Sequence, residues 1–227
     1  MKRAIDLSHP LDPSTPPFPG TPGVEITIQA STAGPEVLPG VKVNSSRIAI
    51  NLHTATHMDA PFHFIHEGVR IDRVALETCS GPAALVRFAR GTAPRSIEVE
   101  HLVPHRDAIR RARRVVFDTD WSCRWKAPDY FTGHAAISPA AARWLVEQGV
   151  ILIGVDFPSV DFPPHATHLV ILGAGLVIVE NLTNVDQLPE SGFDFCALPL
   201  RIAGRDGSPV RAVAFVEAEP PTRSAKK

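Results

Sequence analysis

Residues 53 to 63 hold three imidazoles and a carboxylate in the pattern H-x3-H-x-D-x3-H, namely His53, His57, Asp59 and His63. Such ligands in one short segment can converge if the backbone bends around an ion; the alternative is a solvent-exposed polar loop with a chance histidine cluster. A helix would put His53 and His57 on one face, but Pro61 removes a backbone donor and clashes with the preceding turn, so no helix runs through the segment. Ahead of it, Arg47 to Leu52 alternates, with Ile48, Ile50 and Leu52 on one face. That alternation predicts a strand, and the histidine segment is expected where the strand end turns into a loop. Thr54, Ala55, Thr56 and Ala60 are small and leave room for backbone to bend around an ion. Buried without an ion, each ring would have two polar nitrogens to satisfy, and an unpaired one costs on the order of 1–3 kcal/mol. Imidazole nitrogens and carboxylate oxygens are ligands for zinc, manganese and related ions. A cation takes one nitrogen per ring, and neighbouring hydrogen bonds fix the other.

The remaining composition is that of an ordinary globular chain. Its 227 residues suit a single mixed or mainly β domain. A chain of this size buries roughly 70% of its unfolded surface and needs no staple. Lys and Arg number 23 against 24 Asp and Glu, so bulk charge points to neither nucleic acid nor membrane. No apolar run reaches the ~18 residues of a membrane span. The start MKRAIDLSHP has no signal-peptide core. Cys79, Cys123 and Cys196 are odd in number and widely spaced, which predicts reduced thiols in a soluble cytoplasmic protein.

One domain is expected over residues 1–227. Six prolines and two glycines between Pro10 and Gly23 predict an N-terminal loop. Val24–Ile28 alternates as a half-buried strand, and Ala84–Phe88, Val115–Phe117, Val150–Val155, Leu176–Val179, Cys196–Ile202 and Val210–Val216 read as further strands. Val103 to Arg114 has helical spacing with a solvated basic face of Arg106, Arg110, Arg111, Arg113 and Arg114. Ser138-Pro139 is an N-cap followed by proline at the first helical position, and Gly149 stops that helix. The tail, about 219–227, is polar and expected to fray. The fold class is α/β (α+β) with a mainly β core.

A metal centre needs a second contribution. His165, His168 and Glu180 are the candidates. His165 and His168 read as loop residues ahead of an apolar run, and Glu180 closes the strand Leu176–Val179, where a charge after four apolar residues is unexpected. A catalytic site also keeps a position open for water or substrate. His63, farthest along the segment, is the natural proton carrier.

The segment HTATHMDAPFHF resembles the HxGTHxDxPxHF motif of the cyclase family of metal-dependent hydrolases, which includes bacterial kynurenine formamidases and isatin hydrolases. The resemblance extends to DLSHPLDPSTPPFPG, FDTDWSCRW followed by Tyr130-Phe131 and His134, ILIGVDFPSVD, VIVENLTNVDQLP and FCALPLRIAGRDGSPVRAVA. It implies a swivelling β/β/α fold and homodimers or homotetramers with active sites near subunit contacts. It also implies that His53, His57, Asp59 and Glu180 hold one divalent ion, and that Asp59, His168 and Glu180 hold a second. Zinc is the first expectation and manganese the second, since isatin hydrolases use a single manganese. His63 matches the family's proton donor and acceptor. Three positions depart from the pattern: Ala55 replaces glycine, Leu169 replaces a second histidine, and Phe18 replaces a tryptophan. Phe18 and Phe62 are expected to line an apolar substrate pocket.

The expected activity is metal-dependent hydrolysis of an amide, lactam or ester bond in a small aromatic molecule. A lyase, cyclase or dehydratase of a secondary-metabolite pathway is the alternative enzyme. A non-catalytic metal-binding protein ranks last, because structural zinc sites are closed by four ligands.

Overall fold

Four parallel strands with helical crossovers form the middle of the sheet, and antiparallel strands extend it on both sides. The computed structural model describes residues 2–217, so the tail expected to fray lies outside the described residues. The strands are β1 (Lys2–Asp6), β2 (Glu25–Ala30), β3 (Ser45–Ala49), β4 (His57–Asp59), β5 (Ser80–Arg87), β6 (Ser96–Ile97), β7 (Arg114–Asp118), β8 (Ala136–Ile137), β9 (Leu152–Val155), β10 (Val177–Glu180), β11 (Phe193–Cys196), β12 (Gly207–Pro209) and β13 (Val213–Glu217). The helices are α1 (Leu76–Cys79), α2 (Val99–Leu102), α3 (Arg106–Ala112), α4 (Pro139–Glu147) and α5 (Ala166–Gly173). Nine strands form one curled sheet in the order β1-β13-β11-β5-β7-β9-β10-β4-β12. The mixed α/β class and β-rich core agree with the sequence expectation.

The parallel strands β5, β7, β9 and β10 read as continuous apolar runs because both of their faces are buried. Along β7, Val115 and Phe117 face the layer of α3, α4 and α5, while Val116 faces the opposite cluster with Leu85, Val179 and Phe195. Ser138 caps α4 by accepting from Ala141 N at 3.1 Å, and Gly149 beyond its end takes φ +81°.

Several expectations need correction. Among the described residues β2 and β3 pair only with each other, and Ile26, Ile28 and Ile48 are exposed, so the alternation marks a two-stranded ribbon and not a half-buried core strand. The strand expected over 196–202 ends at Cys196, leaving one isolated bridge at Pro199. Arg114 starts β7, buried, with its guanidinium on the carbonyls of Glu77 and Thr78, so it does not belong to the solvated basic face. His168 lies in α5, not in a loop. Asp161 Oδ2 accepts from the backbone N–H groups of Thr167 (2.8 Å) and His168 (3.0 Å), which fixes the start of that helix.

Candidate metal centre

The histidine segment is not a strand end. β3 stops at Ala49, a loop carries His53, and His57-Met58-Asp59 is itself the short strand β4, set between β10 and β12. Register then does the assembling. His57 lies opposite Glu180, and because strand side chains alternate, Asp59 shares the face of His57. Pro61 opens a 3-10 turn, Pro61–His63, that brings His63 back over the same floor. α5 delivers His168 from the other side.

His53 donates from Nδ1 to Asp59 Oδ1 and from Nε2 to Asp206 Oδ2, both at 2.6 Å. Gly207, opposite Asp59, makes room for this ring, since a Cβ there would meet His53 Cε1 at 2.7 Å. His168 Nδ1 is held by Asp161 Oδ1 at 2.7 Å, and its Nε2 lies 3.8 Å from Asp59 Oδ2 and 3.6 Å from Glu180 Oε1. His57 Nδ1–H donates to the Ala55 carbonyl at 2.8 Å. Its Nε2 is buried with no hydrogen-bond partner, 3.3 Å from Asp59 Oδ1 and 3.5 Å from Glu180 Oε2. An orphaned buried nitrogen facing two carboxylates fits a cation. Two groups have ligand atoms within 4.8 Å of one another and share Asp59: His53, His57 and Asp59, and Asp59, His168 and Glu180.

The electrostatics agree. Burial disfavours charge on His53, yet the charge of Asp59 and hydrogen bonds to Asp206 and Asp59 push its pKa up to about 10. Burial likewise opposes charge on His168, but hydrogen bonds to Asp161, Asp59 and Glu180 raise it well above its ordinary value. The buried carboxylates therefore demand positive charge, and protons on the imidazoles meet that demand when no ion does. His63 behaves differently. Burial lowers it to about 4, its ring stacks on His53 at 3.9 Å, and its Nδ1 is 3.8 Å from Asp206 Oδ2.

A cavity of about 240 Å³ opens over this floor, with Phe18, Phe64, Trp125 and Phe131 among its walls. Phe62, expected there, is not among the lining residues; it sits in the 3-10 turn with the Arg70 guanidinium 4.2 Å above its ring, and Phe64 takes its place. His165 also lines the cavity, its Nδ1 on Asp161 Oδ1 at 2.9 Å, while Leu169 is exposed.

Besides the wall residues Phe64, Trp125 and Phe131, three supporting polar residues escaped the sequence reading. Asp161 holds two imidazoles, Asp206 holds His53, and Asn181 supports the loop. Asn181 takes φ +59° and donates from Nδ2 to the Ala55 carbonyl at 2.9 Å, while its Oδ1 accepts from Tyr130 Oη at 2.8 Å. Ala55 takes φ +52°, a left-handed conformation that explains a preference for glycine there. Asp161 carried a faint signal in its spacing from His165 and His168. Asp206 and Asn181 carried none.

The sequence profile of a family described as "Putative cyclase" matches residues 5–162. A kynurenine formamidase of Bordetella petrii is 34% identical over 222 residues, 94% of this chain and 98% of its own length. One from Geobacillus thermodenitrificans is 32% identical over 218 residues, 93% and 97% of the two chains. Among solved structures, isatin hydrolase A from Labrenzia aggregata, bound to benzyl benzoate, superposes with a TM-score of 0.84 at 27% identity, covering 96% of this chain and 94% of that one. Isatin hydrolase A from Ralstonia solanacearum gives a TM-score of 0.80 at 28% identity, covering 95% and 92%.

Proposed function

The chain belongs to the cyclase family, and from that premise we propose that it is a metal-dependent hydrolase cleaving a non-peptide C–N amide bond of a small aromatic molecule. The observation that carries the reading is the orphaned, buried His57 Nε2 at the junction of two ligand groups that share Asp59, on the floor of an aromatic-walled cavity.

His53, His57 and Asp59 would hold one divalent ion, with Glu180 alongside; Asp59, His168 and Glu180 would hold a second when two are bound. Zinc is the first candidate and manganese the second, since this N/O ligand set suits both. Such an ion polarises a carbonyl and lowers the pKa of water towards ~7. The protein's own groups do the rest. The Ala55 carbonyl fixes the tautomer of His57, leaving Nε2 for the ion, and Asp161 does the same for His168. Phe18, Trp125 and Phe131 orient the aromatic ring and exclude water. His63, kept neutral by burial, accepts a proton on the attack side and returns it to the leaving nitrogen. Asp206, 3.8 Å from His63 Nδ1, favours the imidazolium formed between those two steps.

The exposed apolar ribbon β2–β3 supports a homodimer or homotetramer, and three free cysteines suit a reducing, cytoplasmic setting.

The test is His63→Ala, with metal content and turnover measured together on aryl formamides, isatin and aryl esters. The expected outcome is full metal content with turnover reduced about 10²–10⁴-fold. Loss of metal would make His63 a ligand instead. A metal-loaded parent enzyme inert on every substrate of this panel would overturn the hydrolase assignment.

A further inference from the structure

We infer that the cavity takes a compact, electrically neutral aromatic amide, lactam or ester and discriminates against the same ring system carrying a free α-amino acid group. The inference rests on the hydrolase reading and adds to it the charge of the substrate. It also runs against the naming of the curated relatives, since kynurenine is itself an α-amino acid.

Size is the first observation. About 240 Å³ lies below the roughly 300–1,000 Å³ of pockets for drug-sized ligands, so one or two rings fill it. Charge is the second. Above the imidazole–carboxylate floor the walls are Phe18, Phe64, Trp125 and Phe131 with Pro16 and Pro158. The polar wall residues Thr21, Asn51 and Ser159 are uncharged, and among the described residues no lysine or arginine lines the cavity. Cations beside Trp125 in sequence are engaged elsewhere. Lys126 donates to Ser14 Oγ at 2.6 Å and lies 3.6 Å from Asp12, and Arg124 reaches both carboxylate oxygens of Asp129 at 2.6 and 2.8 Å.

The floor offers no spare positive charge either. Asp59, Asp161, Glu180 and Asp206 supply four negative charges around the imidazoles, which match two divalent ions and exceed one. A substrate carboxylate entering here would lose its hydration and gain no cationic partner, the costly case for burying a charge. Its ammonium would have to compete with the metal for Asp59 and Glu180. A neutral ring meets neither penalty and gains the aromatic walls.

The experiment compares two matched substrates on the metal-loaded full chain: 2-formamidoacetophenone, and the same aryl formamide with its acyl arm extended to an α-amino acid. The neutral compound is expected to have a kcat/KM at least about 100-fold higher. Calorimetry on the metal-loaded protein with the acetamide counterparts reads binding apart from turnover, and the amino acid is expected to bind at least about tenfold more weakly. Thr21→Arg, which places a cation on the wall, is expected to shift the kcat/KM ratio towards the amino acid. Equal or faster turnover of the amino acid substrate by the parent overturns the inference and leaves the hydrolase reading standing. No turnover of either compound overturns the inference, and inertness towards isatin and aryl esters as well overturns the hydrolase reading.

Discussion

Asn181→Ala probes the scaffold beneath the imidazole–carboxylate floor. The substitution removes the acceptor of the fully buried Tyr130 hydroxyl and the donor to the Ala55 carbonyl, at 2.8 and 2.9 Å. Orphaning the Tyr130 hydroxyl costs about 1–3 kcal/mol, and the second lost bond about 0.5–1.5 kcal/mol because Ala55 O keeps the His57 donor. Alanine at φ +59° adds about 1 kcal/mol. The sum, about 2.5–5.5 kcal/mol, lowers the midpoint of a chain this long by about 5–20 °C. Asn181→Gly loses the same bonds without the backbone strain, so it should be about 1 kcal/mol less damaging. The Ala55 carbonyl keeps the His57 donor but loses its own anchor, so it positions His57 less firmly, and metal affinity should fall about 10–100-fold. Thermal melts of metal-free protein and competition with a chromophoric chelator measure the two effects. A variant melting within about 2 °C of the parent would refute the stability argument. A destabilised variant with undiminished metal affinity would refute the positioning of His57 through Ala55.

Ala55→Gly should stabilise the protein by about 0.5–1 kcal/mol, because φ +52° strains alanine and not glycine; a lower urea midpoint would contradict this. His134 is buried and lowered to about 4 from an ordinary 6.5, chiefly by desolvation. The unfolded chain therefore binds the extra proton first, and about 3 kcal/mol of stability is lost as pH falls from 6.5 to 4. His134→Phe, which keeps the stacking on Phe157 and Phe162, should flatten the stability profile in that window, and unchanged steepness there would exclude His134 as its source. Metal uptake at pH 8 should release protons, because the carboxylates hold His53 at about 10 when no ion is bound. Calorimetry in two buffers of different ionisation enthalpy reads that release, and identical heats would show that His53 is already neutral.

The sequence by itself determined the chemistry of the floor. His53, His57 and Asp59 lie within seven residues, so local bending suffices to gather them, and the charge of Glu180 after an apolar strand marked a residue held against solvent exposure. It also determined the central parallel strands and the capped helix α4, whose signals are local. Only the tertiary structure decided the rest. Ile26, Ile28 and Ile48 alternate like core residues, but alternation specifies a two-faced strand without saying whether anything packs on it. The apolar run from Leu169 is strand-like by sequence and yet begins within α5, and Asp161, which caps that helix and so carries His168 to the floor, is an ordinary loop aspartate until the chain is folded. Asp206 and Asn181 reach the site across 153 and 126 residues from His53 and Ala55. No pattern within a window of sequence can register partners at that separation, because their meeting is set by the pairing of β4 with β10 and β12.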